Sequence, residues 1–574
     1  MRMKPGSVIR PAVLIAVGVL AACAPKSVPG PEADLVLKNG AVYTVDDARS
    51  RAEAVAVRDG VFLYVGTNKG AARFIGKGTR VTDLGGKLVL PGFIDAHCHP
   101  SGAVEQFGAV ALFGLGSVAE YQKAVREFRA AHPRLEVVRG SGWSNTLFDG
   151  NGPRKEALDA VVADIPAALS SEDGHSTWVN TKTLELAGVT KDTRDPPGGV
   201  IERDPKTGEP SGTLRERAAR LLENVIPGFT AGEIARGLEE YQKMALGFGI
   251  TTAHEASLDP GESSLAAYEA LDRAGKLRMR FRASLYADPK EGTAQVAALE
   301  AERAKHTGPL FRTGAAKIFV DGVVEGSTAF LKGPYAHKPG FRGEPLWSPE
   351  ALDAVCAALD KAGFQLHFHA IGDSAVAEAL DGIAAAAKAN GVRDARPLIT
   401  HLQLVSPPDV LRFETLGVVA VVQPFWFMKD DYYSNLQVPY LGQERADAEY
   451  PMESFFRAGV SVASSSDYTV TIPCDPLQAI QIGMTRRAPG ATGAADVLWP
   501  EERATLEQMI ASFTIFGAYA NFLEKETGSI EPGKSADLIV LDKDLFTLAP
   551  DEIGKARVVL TLFRGREAGA ERIR

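Results

Sequence analysis

Lys87-Leu-Val-Leu-Pro-Gly-Phe-Ile-Asp-Ala-His-Cys-His99 is an apolar run that ends in chargeable side chains, and the same shape recurs along the chain. Further runs of this kind are Ile250–Ser257, Arg280–Tyr286, Ala315–Gly322, Gln365–Ala370, Leu398–Leu402, Val418–Pro424 and Val460–Asp467. Helix-length segments rich in Ala and Glu separate them, the pattern of βα units wound around a parallel sheet. The repeat predicts an α/β fold, a distorted (β/α)8 TIM barrel over 91–520, with reactive groups at the C-terminal ends of the strands. The stretch of about 102–235 interrupts the repeat after the first unit. It holds Val137-Val-Arg-Gly-Ser-Gly-Trp143 and the Gly/Pro-rich Asp195-Pro-Pro-Gly-Gly199, and it is expected to roof the pocket.

Outside the barrel the texture changes to short strands and tight turns. Asp34-Leu-Val-Leu-Lys-Asn-Gly40, Ala54-Val-Ala-Val-Arg-Asp-Gly60 and Val61-Phe-Leu-Tyr-Val-Gly66 alternate with Asn-Gly and Asp-Gly turns. The other end answers with Ala536-Asp-Leu-Ile-Val-Leu-Asp542 and Val558-Val-Leu-Thr-Leu-Phe-Arg-Gly565. Neither part can bury a core alone, so 33–90 and 521–574 are expected to join in one β-sandwich domain.

Residues 1–22 read as an export signal: Arg2, Lys4 and Arg10 flank the apolar run Pro11–Leu20, which is too short to span a bilayer comfortably. The ending Leu20-Ala-Ala-Cys23 resembles the lipobox of bacterial lipoproteins, which implies that Cys23 becomes a lipidated N-terminus. An ordinary signal peptide with an incidental cysteine is the alternative. Residues 23–32 then form a tether, and Ala24 after the cysteine implies, by the same resemblance, an anchor in the outer membrane facing the periplasm. The remaining cysteines, Cys98, Cys356 and Cys474, are odd in number, so a disulfide scaffold is not expected. With 63 basic against 72 acidic residues the chain is a poor partner for nucleic acid. Association into a homodimer is compatible with the sequence.

The chain has ten histidines, and several fall at predicted strand ends: His97 and His99, His369 and His401, with Asp467 at the last strand. These are residue types that zinc prefers. Residues two apart in a strand share a face, so His97 and His99 can both face the barrel axis, although a pair of solvated or packed histidines reads the same way. Cys98 between them should point away.

Pro91-Gly-Phe-Ile-Asp-Ala-His-Cys-His-Pro100 resembles the first-strand signature of the amidohydrolase superfamily. Ala316-Lys-Ile-Phe-Val-Asp-Gly322 with Ser327-Thr-Ala329, His367-Phe-His-Ala-Ile-Gly-Asp-Ser-Ala375, Thr400-His-Leu-Gln-Leu404 and Gly528-Ser-Ile-Glu-Pro-Gly-Lys-Ser-Ala-Asp-Leu-Ile-Val-Leu541 are similar to the amidohydrolase 3 group, which includes N-substituted formamide deformylases. The resemblance implies one or two divalent metals, zinc by expectation. His97, His99 and Asp467 would hold the more buried one, and His369 and His401 the second. Lys317 would bridge them as a carboxylated lysine, burial and a nearby cation lowering its pKa so that the neutral amine takes up carbon dioxide; an ion pair with Asp321 or another acid near the barrel mouth is the alternative. Asp467 is implied as the general base.

Two departures from the group's pattern stand out. Tyr468 follows Asp467 where a small residue and proline are common, and Thr400 precedes His401 where Glu is common, which would change an outer contact. From the insertion, Trp143 and His175 are candidates for contact with substrate, with Asp173 in the same stretch as His175, as are His254 on the second strand and Tyr468; packing histidines are an equal reading for His175 and His254, and Tyr468 reads equally well as filling space. The expected activity is hydrolysis of an amide-type C–N bond in a small molecule. Hydrolysis of an ester, lactone or phosphoester at the same metal site is the runner-up, and a non-catalytic binding lipoprotein the reading from another class.

Overall fold

The computed structural model describes residues 31–148 and 150–569, so the export signal, Cys23 and most of the tether lie outside the described residues. Eight parallel strands form the barrel sheet in sequential order: β1 (Phe93–Cys98), β2 (Ile250–Leu258), β3 (Arg280–Tyr286), β4 (Phe311–Phe319), β5 (Gln365–Ala370), β6 (Leu398–His401), β7 (Val419–Val422) and β8 (Val462–Ser464). Just past β8 the seam is drawn shut: the Asp467 N–H donates to the His97 carbonyl at 2.9 Å, and the Ser466 N–H donates to the Asp95 carboxylate at 3.0 Å. The fold is thus a distorted TIM barrel.

Covered on both faces, the strands are buried along most of their length, and polar side chains such as His254, Ser284 and His367 are buried with the apolar ones. The helices around them carry one apolar stripe. In the helix Asp373–Asn390, Ala375, Val376, Ala379, Leu380, Ile383 and Ala386 are buried, a spacing of three and four that presents one face to the sheet.

The first predicted strand divides into two. Leu88–Pro91 belongs to a different sheet, pairing with Ala41–Tyr43 and antiparallel with Leu538–Leu541, and β1 begins at Phe93. Gly92 makes the break possible. Its N–H donates to the Asp537 carbonyl at 3.1 Å, and a Cβ here would lie 2.4 Å from Thr251 Oγ1. Other bounds shift as well: β4 spans Phe311–Phe319 rather than Ala315–Gly322, and β8 covers only Val462–Ser464 of the predicted Val460–Asp467.

The two chain ends form the β-sandwich domain. Leu35, Leu37, Val55, Val57 and Phe62 from the first end share one buried core with Leu538, Val540, Leu560 and Leu562 from the second. On the barrel side, buried Arg280 of β3 is paired with Asp537 and, at 2.7 Å, with Glu526, tying the domains together. The insertion is a layer in its own right, with a six-stranded sheet that runs from Val110–Ala111 through Val138–Trp143, Ala167–Ser171, Ser176–Val179 and Pro210–Glu216 to Gly199–Arg203. Among the described residues no helix is long and apolar enough to cross a membrane.

Candidate active site

The C-terminal ends of β1, β4, β5, β6 and β8 converge on a cavity of about 1490 Å³ that contains His97, His99, Lys317, His369, His401 and Asp467. The ends are bent to do so. His401 and Asp467 both adopt left-handed backbone, with φ of 80° and 54°, a conformation that costs roughly 1–3 kcal/mol at a non-glycine residue and concentrates at functional sites. His97, His401 and Asp467 offer ligand atoms within 4.8 Å of one another. The His369 ring stands 4.4 Å from that of His401, centroid to centroid. His401, which the resemblance assigned with His369 to a second metal, therefore stands between the two groups.

Three of the four histidines commit a nitrogen to a hydrogen bond elsewhere. His97 Nδ1 lies 2.8 Å from His367 Nε2, His369 Nε2 is 3.1 Å from the Gly322 carbonyl, and His401 Nδ1 is 3.2 Å from Gln423 Oε1. Gln423 is itself oriented, its Nε2 donating to Ser465 Oγ at 2.8 Å. The half-exposed His99 turns Nδ1 towards Glu255 Oε1 at 3.7 Å. Burial pushes His97, His369 and His401 well below the ordinary histidine value, with neighbouring Lys317 and histidines adding to the effect. The rings are neutral donors of a lone pair, the form in which histidine ligates a metal.

Asp467 receives that convergence. Its Oδ1 is buried without a hydrogen-bond donor, yet it lies 3.3 Å from His97 Nε2 and 3.4 Å from His99 Nε2. Burial alone would raise its pKa, but His99, His401 and Lys317 hold it down at about 2. An ionised carboxylate oxygen facing imidazole lone pairs in a dry cavity is stabilised by a cation among them, so the residues present fit a divalent metal. Lys317, 1% exposed, stands at the edge of this group with Nζ 3.4 Å from His97 Nε2. Burial, opposed by Asp467, lowers it to about 7. The alternative pairing with Asp321 is not made: Asp321 accepts backbone N–H groups of Phe330, Ile371 and Gly372 at 2.8–3.0 Å.

Of the expected substrate contacts, His175 faces the cavity and three others do not. Trp143 is fully buried in the core of the insertion and donates from Nε1 to the Leu169 carbonyl at 2.8 Å. Tyr468 is fully buried against Tyr241, their rings 5.0 Å apart, and its hydroxyl meets Gln106. His254 lies beneath the site with Nδ1 on Asn521 and Nε2 on Ser284, both at 2.8 Å. Strand alternation and loop packing turn all three side chains inward. Cys98 does point away, packing against Tyr241 and the His254 carbonyl. Asp173 shapes the loop: it accepts from Asn145 at 2.6 Å and from the His175 N–H at 2.9 Å.

His175 Nδ1 is 3.1 Å from Glu216 Oε2. Burial works against a charge on His175, but Glu216 and Asp173 outweigh it and raise the imidazole to about 10; Glu216 is correspondingly lowered. A cationic side chain 5.9 Å from the His369 ring is placed to hold a carbonyl oxygen. The stabilisation credited to His175 is complete below pH 6.5 and is lost as pH climbs through about 10. That credited to Glu216 is complete above pH 4.5 and fades in acid. Glu216→Gln is expected to return His175 towards 6.5, read as its NMR titration midpoint; a midpoint that stays near 10 would assign the shift to another group.

Sequence reasoning passed over His367, Ser284, Gln423, Glu255 and Asp95. His367 and Glu255 were within reach, one by alternation with His369 and the other beside His254. Ser284 and Gln423 carry no signal of their own.

With the geometry in view, the relatives are consistent. Residues 80–568 match the Amidohydrolase family. Protein LONG AFTER FAR-RED 3 of Arabidopsis thaliana is 31% identical over 93% of this chain and 91% of its own length. The N-substituted formamide deformylase of Arthrobacter pascens is 28% identical over 93% and 97%. Among solved structures, an uncharacterized metal-dependent hydrolase from Pyrococcus furiosus superposes with a TM-score of 0.68 at 26% identity, covering 89% of this chain and 99% of the other. The chain belongs to the Amidohydrolase family, and it is an enzyme of the C–N hydrolase class.

Proposed function

We propose that the protein hydrolyses an N-formyl, N-acyl or cyclic amide of a small molecule at a zinc site formed by His97, His99, Lys317, His369, His401 and Asp467. The observation that carries this reading is the buried, donor-free Asp467 Oδ1 among imidazole nitrogens. A divalent metal at such a site lowers the pKa of bound water towards about 7 and polarises a carbonyl. Asp467 takes the proton released by the attacking water and returns it to the leaving nitrogen. His175 holds the carbonyl oxygen while its charge grows. Gln423 and the Gly322 carbonyl keep the rings of His401 and His369 in place through the reaction. Lys317 is carboxylated in the working enzyme. The deformylase of Arthrobacter pascens, similar over nearly its whole length, makes formamides the first substrates to try.

The test is turnover of a panel of N-formyl, N-acyl, cyclic-amide, ester and lactone compounds by zinc-loaded protein, beside a His97→Ala/His99→Ala control. Cleavage of amides by the intact protein alone is expected, whereas cleavage confined to esters and lactones would reject the amide assignment. We further propose that Cys23 anchors the enzyme by lipid in the cell envelope. The mass of the mature N-terminal peptide checks it: an unmodified Cys23, or cleavage elsewhere, removes the anchor.

A further inference from the structure

We infer that the buried series Asn521, His254, Ser284 and His367 is a positioning device that fixes the proton of His97 on Nδ1 and so keeps the Nε2 lone pair aimed at Lys317 and Asp467. Its consequence for metal rests on the function proposed above; the direction of the hydrogen bonds does not.

That direction is set at the far end, because Asn521 Nδ2 is 2.9 Å from the Gly517 carbonyl, which can only accept. The amide is thereby oriented and Oδ1 faces His254 Nδ1 at 2.8 Å. His254 must carry its proton on Nδ1, which leaves Nε2 to accept from the Ser284 hydroxyl at 2.8 Å. A serine has one proton to give, so Ser284 Oγ accepts from His367 Nδ1, again at 2.8 Å. His367 Nε2 is then bare and takes the proton of His97 Nδ1 at 2.8 Å. The bare Nε2 of His97 remains, 3.4 Å from Lys317 Nζ and 3.3 Å from Asp467 Oδ1.

Reversal of the series would press Asn521 Oδ1 against the Gly517 carbonyl, two acceptors in contact in a dry interior. Thr400 Oγ1, 3.0 Å from His367 Nε2, is a hydroxyl that rotates to suit either state and does not set the direction. Every member is buried: Asn521 is 5% exposed, His254 2%, and Ser284, His367 and His97 0%. Burial disfavours a second proton on any ring, as the lowering of His254 to about 4 reflects. The series spans β2, β3, β5 and β1 and reaches Asn521, which ends the helix Ile515–Ala520. These four side chains touch no substrate and act through His97 alone.

The test uses the full chain, first free of metal. Histidine ¹⁵N spectra of the parent, with His97 assigned by difference from His97→Gln, are expected to show protonated Nδ1 and bare Nε2. Ser284→Ala removes the link, and zinc affinity measured against a competing chelator should fall by roughly tenfold. Ser284→Thr restores the hydroxyl and should return the affinity to within about threefold of the parent. A parent His97 protonated on Nε2 overturns the inference, whatever the variants do. So does a Ser284→Ala protein that binds zinc like the parent, or an equal loss in Ala and Thr variants, which marks packing rather than the hydroxyl. A parent that binds no zinc would instead reject the metal reading, with the tautomer measurement still standing.

Discussion

Asp467→Asn is expected to lower kcat by about 10²–10⁴-fold, the range that a positioned general base supplies, while the protein stays folded and still binds metal. The substitution keeps the shape of the side chain and an oxygen able to ligate. What it removes is the charge and the capacity to accept a proton. Asp467 is well suited to lose by this: its carboxylate is held at about 2 by His99, His401 and Lys317 against the cost of burial, and its Oδ1 has no other donor. Its backbone is pinned as well, the N–H bonded to the His97 carbonyl across the barrel seam at 2.9 Å, so the Asn side chain should enter the same space. Steady-state kinetics with zinc content measured on the same samples checks the claim. A parallel fall in kcat and kcat/KM marks loss of an interaction made in the transition state. A kcat within tenfold of the parent at equal zinc would remove Asp467 from the role of base and leave it as a ligand only.

The barrel was legible because its signal is repeated. Each strand is an apolar run closed by polar residues, and the repetition survives errors at single boundaries, such as the late start given to β4. The join at Gly92 was hidden for a physical reason: two consecutive strands, Leu88–Pro91 and Phe93–Cys98, read as one run when the break between them needs only one glycine. Five of the six proposed ligands, the four histidines and Asp467, were legible because strand ends concentrate their residue types, whereas Lys317 came only from the family resemblance. Side chains that touch substrate were not, since direction in a loop follows tertiary packing. Trp143, adjacent to a Gly-rich loop, turns into the core of the insertion, and Tyr468, next to Asp467, faces Tyr241. Residues that orient the ligands were least visible of all. Gln423 and Ser284 are ordinary polar residues in strands or at strand ends until the barrel closes and brings β7 beside β6 and β3 beside β2.

Lys317→Ala should cost more than the loss of an outer contact, whose usual effect is about 10–100-fold; we expect at least about 10²-fold in kcat/KM, with zinc bound per chain reduced. The reasoning begins with burial. Lys317 is 1% exposed on β4, and desolvation, opposed only by Asp467, lowers its amine to about 7. Near neutral pH a large share of the chains therefore carries a free amine, and that share grows as pH rises. A neutral amine can add carbon dioxide and shed a proton, and a carbamate formed at Lys317 would carry its negative charge beside His97, whose Nε2 is 3.4 Å from Lys317 Nζ. The charge would reverse from that of a protonated lysine, which repels a cation, to that of a carboxylate able to hold one. Two observations separate this role from packing. Protein stripped of metal and carbon dioxide and then reloaded with zinc should regain activity faster and further in bicarbonate, and Lys317→Ala should be partly restored by acetate or propionate, which would supply the carboxylate that the variant lacks. Restoration by bicarbonate in the parent together with carboxylate rescue in the variant establishes the carbamate. Full zinc binding and near-parental turnover in Lys317→Ala, without added acid, would reduce Lys317 to a packed amine and leave the metal to the histidines and Asp467.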